Sequence, residues 1–111
     1  MHEQSHGEAF FALFNEKLSG NGLYVFDEPE AALSPLRQMA LLTRMDELVH
    51  ENSQFIIATH SPILMAYPYA RIYEISEAGW RVVSFEETEH FQLQKQFYAD
   101  PKRFVHHLLK K

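Results

Sequence analysis

"LYVFDEPEAALSP", residues 23–35, decides the fold. Its first four residues are apolar without a break, and Asp27, Glu28, Pro29 and Glu30 follow at once. So short an apolar run, with Val25 branched at Cβ, fits a strand covered on both faces, as in a parallel sheet. Ser34 and Pro35 then supply a helix start, a hydroxyl for the N-cap and a proline for the first turn. That helix runs to about Glu51, with Leu41, Leu42, Met45, Leu48 and Val49 along one face. "FIIATHSP", residues 55–62, repeats the device: an apolar run of Phe55, Ile56, Ile57 and Ala58 ends in Thr59, His60 and Ser61. Two buried strands joined by a helix make a βαβ unit, and such a parallel connection is right-handed.

Working outward, residues 7–18 read as an amphipathic helix, because Phe10, Leu13, Phe14 and Leu18 recur at helical spacing. Gly20-Asn21-Gly22 breaks the chain after it. Downstream, residues 71–76 and 80–85 suggest a hairpin around Glu77-Ala78-Gly79. A helix is expected over residues 87–99. Asp100-Pro101 opens another, with Phe104, Val105, Leu108 and Leu109 as its buried face. The fold class is α/β, with mostly parallel core strands followed by a hairpin and helices.

The chain has 111 residues, of which 46% are hydrophobic and 14% aromatic, so one domain over residues 1–111 with a packed core is expected. Its formal net charge of −5 offers no evident nucleic-acid surface. Without cysteine there is neither a disulfide nor a thiolate metal site. No apolar run approaches a membrane span, and residues 1–20 do not have the form of a signal peptide. A soluble, cytoplasmic protein without direct membrane insertion is the simplest reading.

Both apolar strands end in ionisable residues, Asp27-Glu28 on one and His60 on the other. In open α/β sheets, ligands bind outside the carboxyl ends of the strands. Two carboxylates and an imidazole converging there suit metal, phosphate and water chemistry. "HEQSH", residues 2–6, allows a rival reading, since it fits the zinc-protease pattern H-E-x-x-H with Glu28 as a distant third ligand. Against it, the motif sits at a terminus that frays, and Ser5 and Gly7 place the helix start after His2.

Together, "SHGE" (residues 5–8), "LYVFDEPEAALSP" and "FIIATHSP" resemble ATP-binding-cassette (ABC) ATPases, closest to the soluble RecF-like or chromosome-maintenance-like branch. The resemblance covers residues 5 to about 76 by motif. The tail from Thr88 looks like the end of bacterial AAA-like predicted ATPases. The resemblance implies ATP and Mg2+ as cofactors. It makes Leu23–Asp27 the Walker B strand, with Asp27 on the metal and Glu28 orienting the attacking water. Residues 30–34 would be the D-loop, ending in Ser34 where transporters usually carry aspartate. His60 would be the switch histidine on the γ-phosphate. Ser5, His6, Gly7 and Glu8 would form the signature that closes on the partner subunit's ATP; His6 and Glu8 replace the usual glycine and glutamine.

A member of that family also needs a P-loop, G-x-x-x-x-G-K-[ST], and none of the four glycines here begins or completes one. The chain therefore resembles the C-terminal half of a P-loop NTPase domain, lacking the Walker A half. Two functions follow from the resemblance: a fragment of an ATPase that hydrolyses Mg-ATP at a dimer interface, or a non-catalytic, degenerate interaction module. The missing neighbours of the sheet predict an open edge and an exposed apolar face, so self-association or pairing with a P-loop-containing half is expected.

Overall fold

The computed structural model describes residues 20–110. They fall into two compact units that meet between Tyr67 and Pro68 in sequence. The first contains strand β1 (Leu23–Asp27), a 3-10 turn (Pro29–Ala32), helix α1 (Pro35–Val49), strand β2 (Gln54–Ala58) and the short helix α2 (Pro62–Met65). Strands β1 and β2 pair in parallel, with Leu23 opposite Gln54 and Asp27 opposite Ala58. The βαβ arrangement expected from the sequence is present.

Local chemistry fixes these boundaries. Helix α1 starts where Ser34 Oγ accepts from the Arg37 N–H at 3.2 Å and Pro35 takes the first turn. It ends at His50, and Asn52 reverses the chain with φ 67°. The turn at residues 20–22 is pinned against this reversal. Asn21 N–H donates to Glu51 O (2.9 Å), Gly22 N–H to Ser53 Oγ (3.2 Å), and Gln54 N–H to Gly22 O (2.9 Å). A Cβ on Gly20 would lie 2.7 Å from Glu51 Cβ, so only glycine permits the approach. These bonds set the strand register before the first ladder pair.

Leu33, Leu41, Met45, Leu48 and Leu64 form the core, with Phe26, Leu42, Phe55 and Ile57 packed against it. Leu41 and Leu48 are fully buried, each contributing roughly 1.5–3 kcal/mol by removal from water. Tyr24 stacks on Phe55 with ring centroids 5.1 Å apart, extending the apolar layer along the strands.

The expectation of strands covered on both faces is corrected. Alternate residues point to opposite sides of the pleat, and the core lies on one side only. On the other side Leu23 is 63% and Val25 68% exposed, and Ile56 is open beside them. Among the described residues the sheet has two strands, so each apolar run covers its inner face and leaves its outer face uncovered.

The second unit pairs β3 (Ile72–Ser76) with β4 (Gly79–Val83) in an antiparallel hairpin. Its turn is Glu77-Ala78, and Gly79, with φ 114°, begins β4 instead of closing the turn. The second strand stops at Val83 because Ser84 opens a capping box, its N–H donating to Glu87 Oε1 at 2.8 Å. A 3-10 turn (Phe85–Glu87) precedes α3 (Glu89–Ala99), whose N-cap is Thr88. The expected helix start at residue 87 thus moves to Glu89. Asp100 ends α3 and caps α4 (Pro101–Leu109), accepting from the Arg103 N–H at 3.2 Å.

The face expected to be buried on α4 is corrected as well. Phe104 is half-buried against Phe97, with ring centroids 5.5 Å apart. Val105, Leu108 and Leu109 are exposed. A single residue joins α3 to α4, and this sharp joint brings Phe104 onto α3 while the rest of the stripe stays open. His106 and His107, adjacent in the last turn, are exposed as their spacing suggests.

Candidate active site

The candidate site stands at the carboxyl ends of β1 and β2. Asp27 ends β1 and belongs to the strand face away from the core, exposed to water. Glu28 carries the ladder one bond further, its N–H donating to Ala58 O at 2.7 Å. It then turns into the left-handed region, φ 48° and ψ 55°. For a residue with a Cβ this conformation costs on the order of 1–3 kcal/mol.

That turn brings Glu28 Oε1 to 3.8 Å from His60 Nε2. The two residues expected to act together are therefore neighbours in space. Both side chains are more than half exposed, and an exposed pair at this separation is worth about 0–1 kcal/mol. Such a contact is too weak to fix its own geometry. The fixing groups lie behind it. Glu30 accepts the Thr59 hydroxyl on Oε1 (2.7 Å) and the His60 N–H on Oε2 (2.9 Å). Thr59 Oγ1 in turn accepts from the Ser61 N–H at 2.9 Å. Buried Ser61 donates to Gln38 Oε1 (2.5 Å) and caps α2 through the Leu64 N–H (3.2 Å). Gln38 closes the chain of bonds on Leu33 O at 3.1 Å.

Burial of Glu30 would raise its pKa, yet the His60 N–H and the Thr59 hydroxyl outweigh it and hold the carboxyl below its ordinary value of 4.5. Glu30 thus stays ionised at neutral pH as a two-pronged acceptor. The sequence reading placed Glu30 inside the D-loop stretch and gave it no task. Its only local signal is an acid in the first turn after Pro29, which reads equally well as helix-dipole chemistry.

Ser34 occupies its place as the N-cap of α1, with its hydroxyl on the Arg37 N–H. The signature candidates Ser5, His6, Gly7 and Glu8 lie outside the described residues, as do His2 and His6 of the zinc pattern. Among the described residues no three histidine, aspartate or glutamate side chains cluster closely enough to enclose a metal. A single exposed carboxylate on a rigid strand end does fit Mg2+, which keeps most of its waters and takes one or two protein oxygens. Asp27 is such a donor.

The sequence matches the model of one protein family, described as "AAA domain, putative AbiEii toxin, Type IV TA system", over residues 9–66. No curated protein matches the chain. The family match runs through β1, α1, β2 and α2 and contains Asp27, Glu28, Glu30, Ser34 and His60. Ser5, His6, Gly7 and Glu8 precede it. Covering more than half of the chain, the match establishes that this protein belongs to that family of AAA domains, nucleotide-binding proteins of the P-loop NTPase type.

Proposed function

We propose that this chain carries the hydrolytic edge of an ABC-type ATP site, completed by a P-loop on another segment or chain. The observation that supports it is the Glu28–His60 contact at the carboxyl ends of two parallel strands. In this reading Glu28 orients the attacking water and draws on its proton, while Asp27 takes the metal. His60 donates a hydrogen bond to the γ-phosphate and senses its loss. Asp27 would hold Mg2+ through water, and the bound ion would neutralise charge developing on the phosphates. Ser34 stands in the D-loop. Ser5 and Gly7 would grip the partner's γ-phosphate, with His6 and Glu8 beside them. Nucleotide and the second subunit would be gripped together, in the cytoplasm, so that ATP drives association.

Because the 111 residues contain no G-x-x-x-x-G-K-[ST], the chain by itself is expected to bind Mg-ATP weakly and to hydrolyse none. The test begins with the mass of the polypeptide in its source cells, by immunoblot against this chain. A band of about twice the chain's 13.0 kDa or more identifies a polypeptide in which ATP turnover is then measured. Loss of turnover in Glu28→Gln supports the reading. Full turnover in that variant, or micromolar Mg-ATP binding by the isolated 111 residues, defeats it.

A further inference from the structure

The Glu28–His60 contact is exposed and loose, whereas the bonds behind His60 are short and anchored. That contrast identifies what places the imidazole. We propose that Glu30 is a positioning residue: by holding the His60 N–H on one carboxylate oxygen and the Thr59 hydroxyl on the other, it sets the His60 imidazole against Glu28. The inference rests on the proposed ATP site for its functional meaning, but its geometry is independent of nucleotide.

Three features carry it. Glu30 belongs to the 3-10 turn that begins one residue after Glu28, so its backbone moves with the Glu28 end of the site. Its two acceptor bonds cross to the loop after β2, 29 and 30 residues further along the chain. They tie the two strand ends together beyond the last ladder bond, where nothing in the β1–β2 pairing would do so. The bond to His60 is to its backbone N–H, which leaves the imidazole of His60 turned toward Glu28. Retention of charge on Glu30, promoted by these same donors, keeps both oxygens as acceptors at neutral pH. Behind the loop, Thr59 passes the constraint to the Ser61 N–H, and Ser61 to Gln38 on α1. The loop bearing His60 is thus fastened on one side to the turn that follows Glu28 and on the other to the core helix.

The test is NMR on the isotopically labelled 111-residue chain, without nucleotide. In the wild type, Glu28→Gln shifts the imidazole proton resonances of His60, because a facing carboxylate has been neutralised. In a Glu30→Ala background that response is lost, while the amides of Leu41 and Leu48 keep their positions. Glu30→Gln, which retains an acceptor oxygen for the His60 N–H, restores it. A purely structural role would move the core amides or the melting temperature and leave the response intact. An undiminished response in Glu30→Ala overturns the proposal. Should that variant not fold, Glu30→Asp, one methylene shorter with its charge kept, is judged by the same criterion. In the P-loop-containing polypeptide, Glu30→Ala lowers kcat about tenfold to a hundredfold, the effect of a displaced catalytic group. Unchanged kcat in that variant, where Glu28→Gln abolishes turnover, overturns the positioning role and leaves the ATPase reading standing. Absence of turnover in the wild type, with the His60 response behaving as expected, does the reverse.

Discussion

The two units of this chain are built from similar sequence material with different results. In the first, residues far apart in sequence meet: the core joins Phe26, Leu33, Leu41, Met45, Leu48, Ile57 and Leu64. The second relies on neighbours: a hairpin, a capping box, and a helix pair meeting through Phe97 and Phe104. Its hairpin face of Tyr73, Ile75, Trp80 and Val82 is exposed, as is most of the α4 stripe. The candidate site lies in the unit whose core can hold a strand end still. Precise placement of a carboxylate and an imidazole requires supports that do not bend, and those come from long-range packing.

The sharpest way to break this contrast is to remove one leucine from each unit. Leu41→Ala, at a fully buried site, is expected to cost about 2–5 kcal/mol in denaturant unfolding. Leu109→Ala, 72% exposed on α4, should cost less than about 0.5 kcal/mol. Equal costs would mean that the α4 stripe is covered in solution. A second pair of substitutions asks what the units share. Ser61 and Thr88 are buried N-cap hydroxyls, one in each unit. Alanine at either is expected to lose about 1–2 kcal/mol, read from the same unfolding curves. A loss confined to Ser61 would assign the second unit's stability to something other than its caps.

Acid should loosen both units, for related reasons. The carboxyl of Glu30 is held low despite burial, by the His60 N–H and the Thr59 hydroxyl. That of Glu74 is held low first by the Glu89 N–H, and that of Glu87 by the Ser84 N–H. A carboxyl lowered by folding adds stability above its unfolded value, 4.5 in each case, and loses it as pH falls through the folded value. Melting temperature is therefore expected to drop as pH goes below about 4.5. Glu30→Gln should flatten the acid response of amides in residues 20–67 and leave those in residues 68–110 unaltered. An identical response in both sets would contradict the assignment.

The smallest effect carries an opposite sign. Glycine enters the left-handed region without a Cβ penalty, so Glu28→Gly is expected to be neutral or to stabilise by up to about 1 kcal/mol in chemical unfolding. Marked destabilisation would show that the Glu28 side chain, and not its backbone, supports the first unit.

Much of the first unit was legible in the sequence because its signals are local. The apolar runs before Asp27 and His60, Ser34-Pro35 and the glycines at 20 and 22 each announce an element or its end. Proximity of Glu28 to His60 followed from one further inference, that both runs are parallel strands of one sheet. Glu30 was not legible, since its meaning depends on two donors about thirty residues away. Nor was exposure: a run such as Leu23-Tyr24-Val25-Phe26 has the same appearance whether one face or both are covered. The α4 stripe misled for the same reason, because periodicity shows that a face is apolar and not what lies against it.

Parallel pairing of β1 with β2 also has a consequence in time. About thirty residues separate the partners Leu23 and Gln54, so a ribosome adding roughly 5–20 residues per second emits β1 some seconds before β2. A helix of the length of α1 relaxes in about a microsecond. During synthesis, therefore, Phe26 has Leu41, Met45 and Leu48 to lie against well before it has a neighbouring strand. The helix precedes the sheet, and Glu28 and His60 meet only when the loop carrying His60 emerges and fastens onto Glu30.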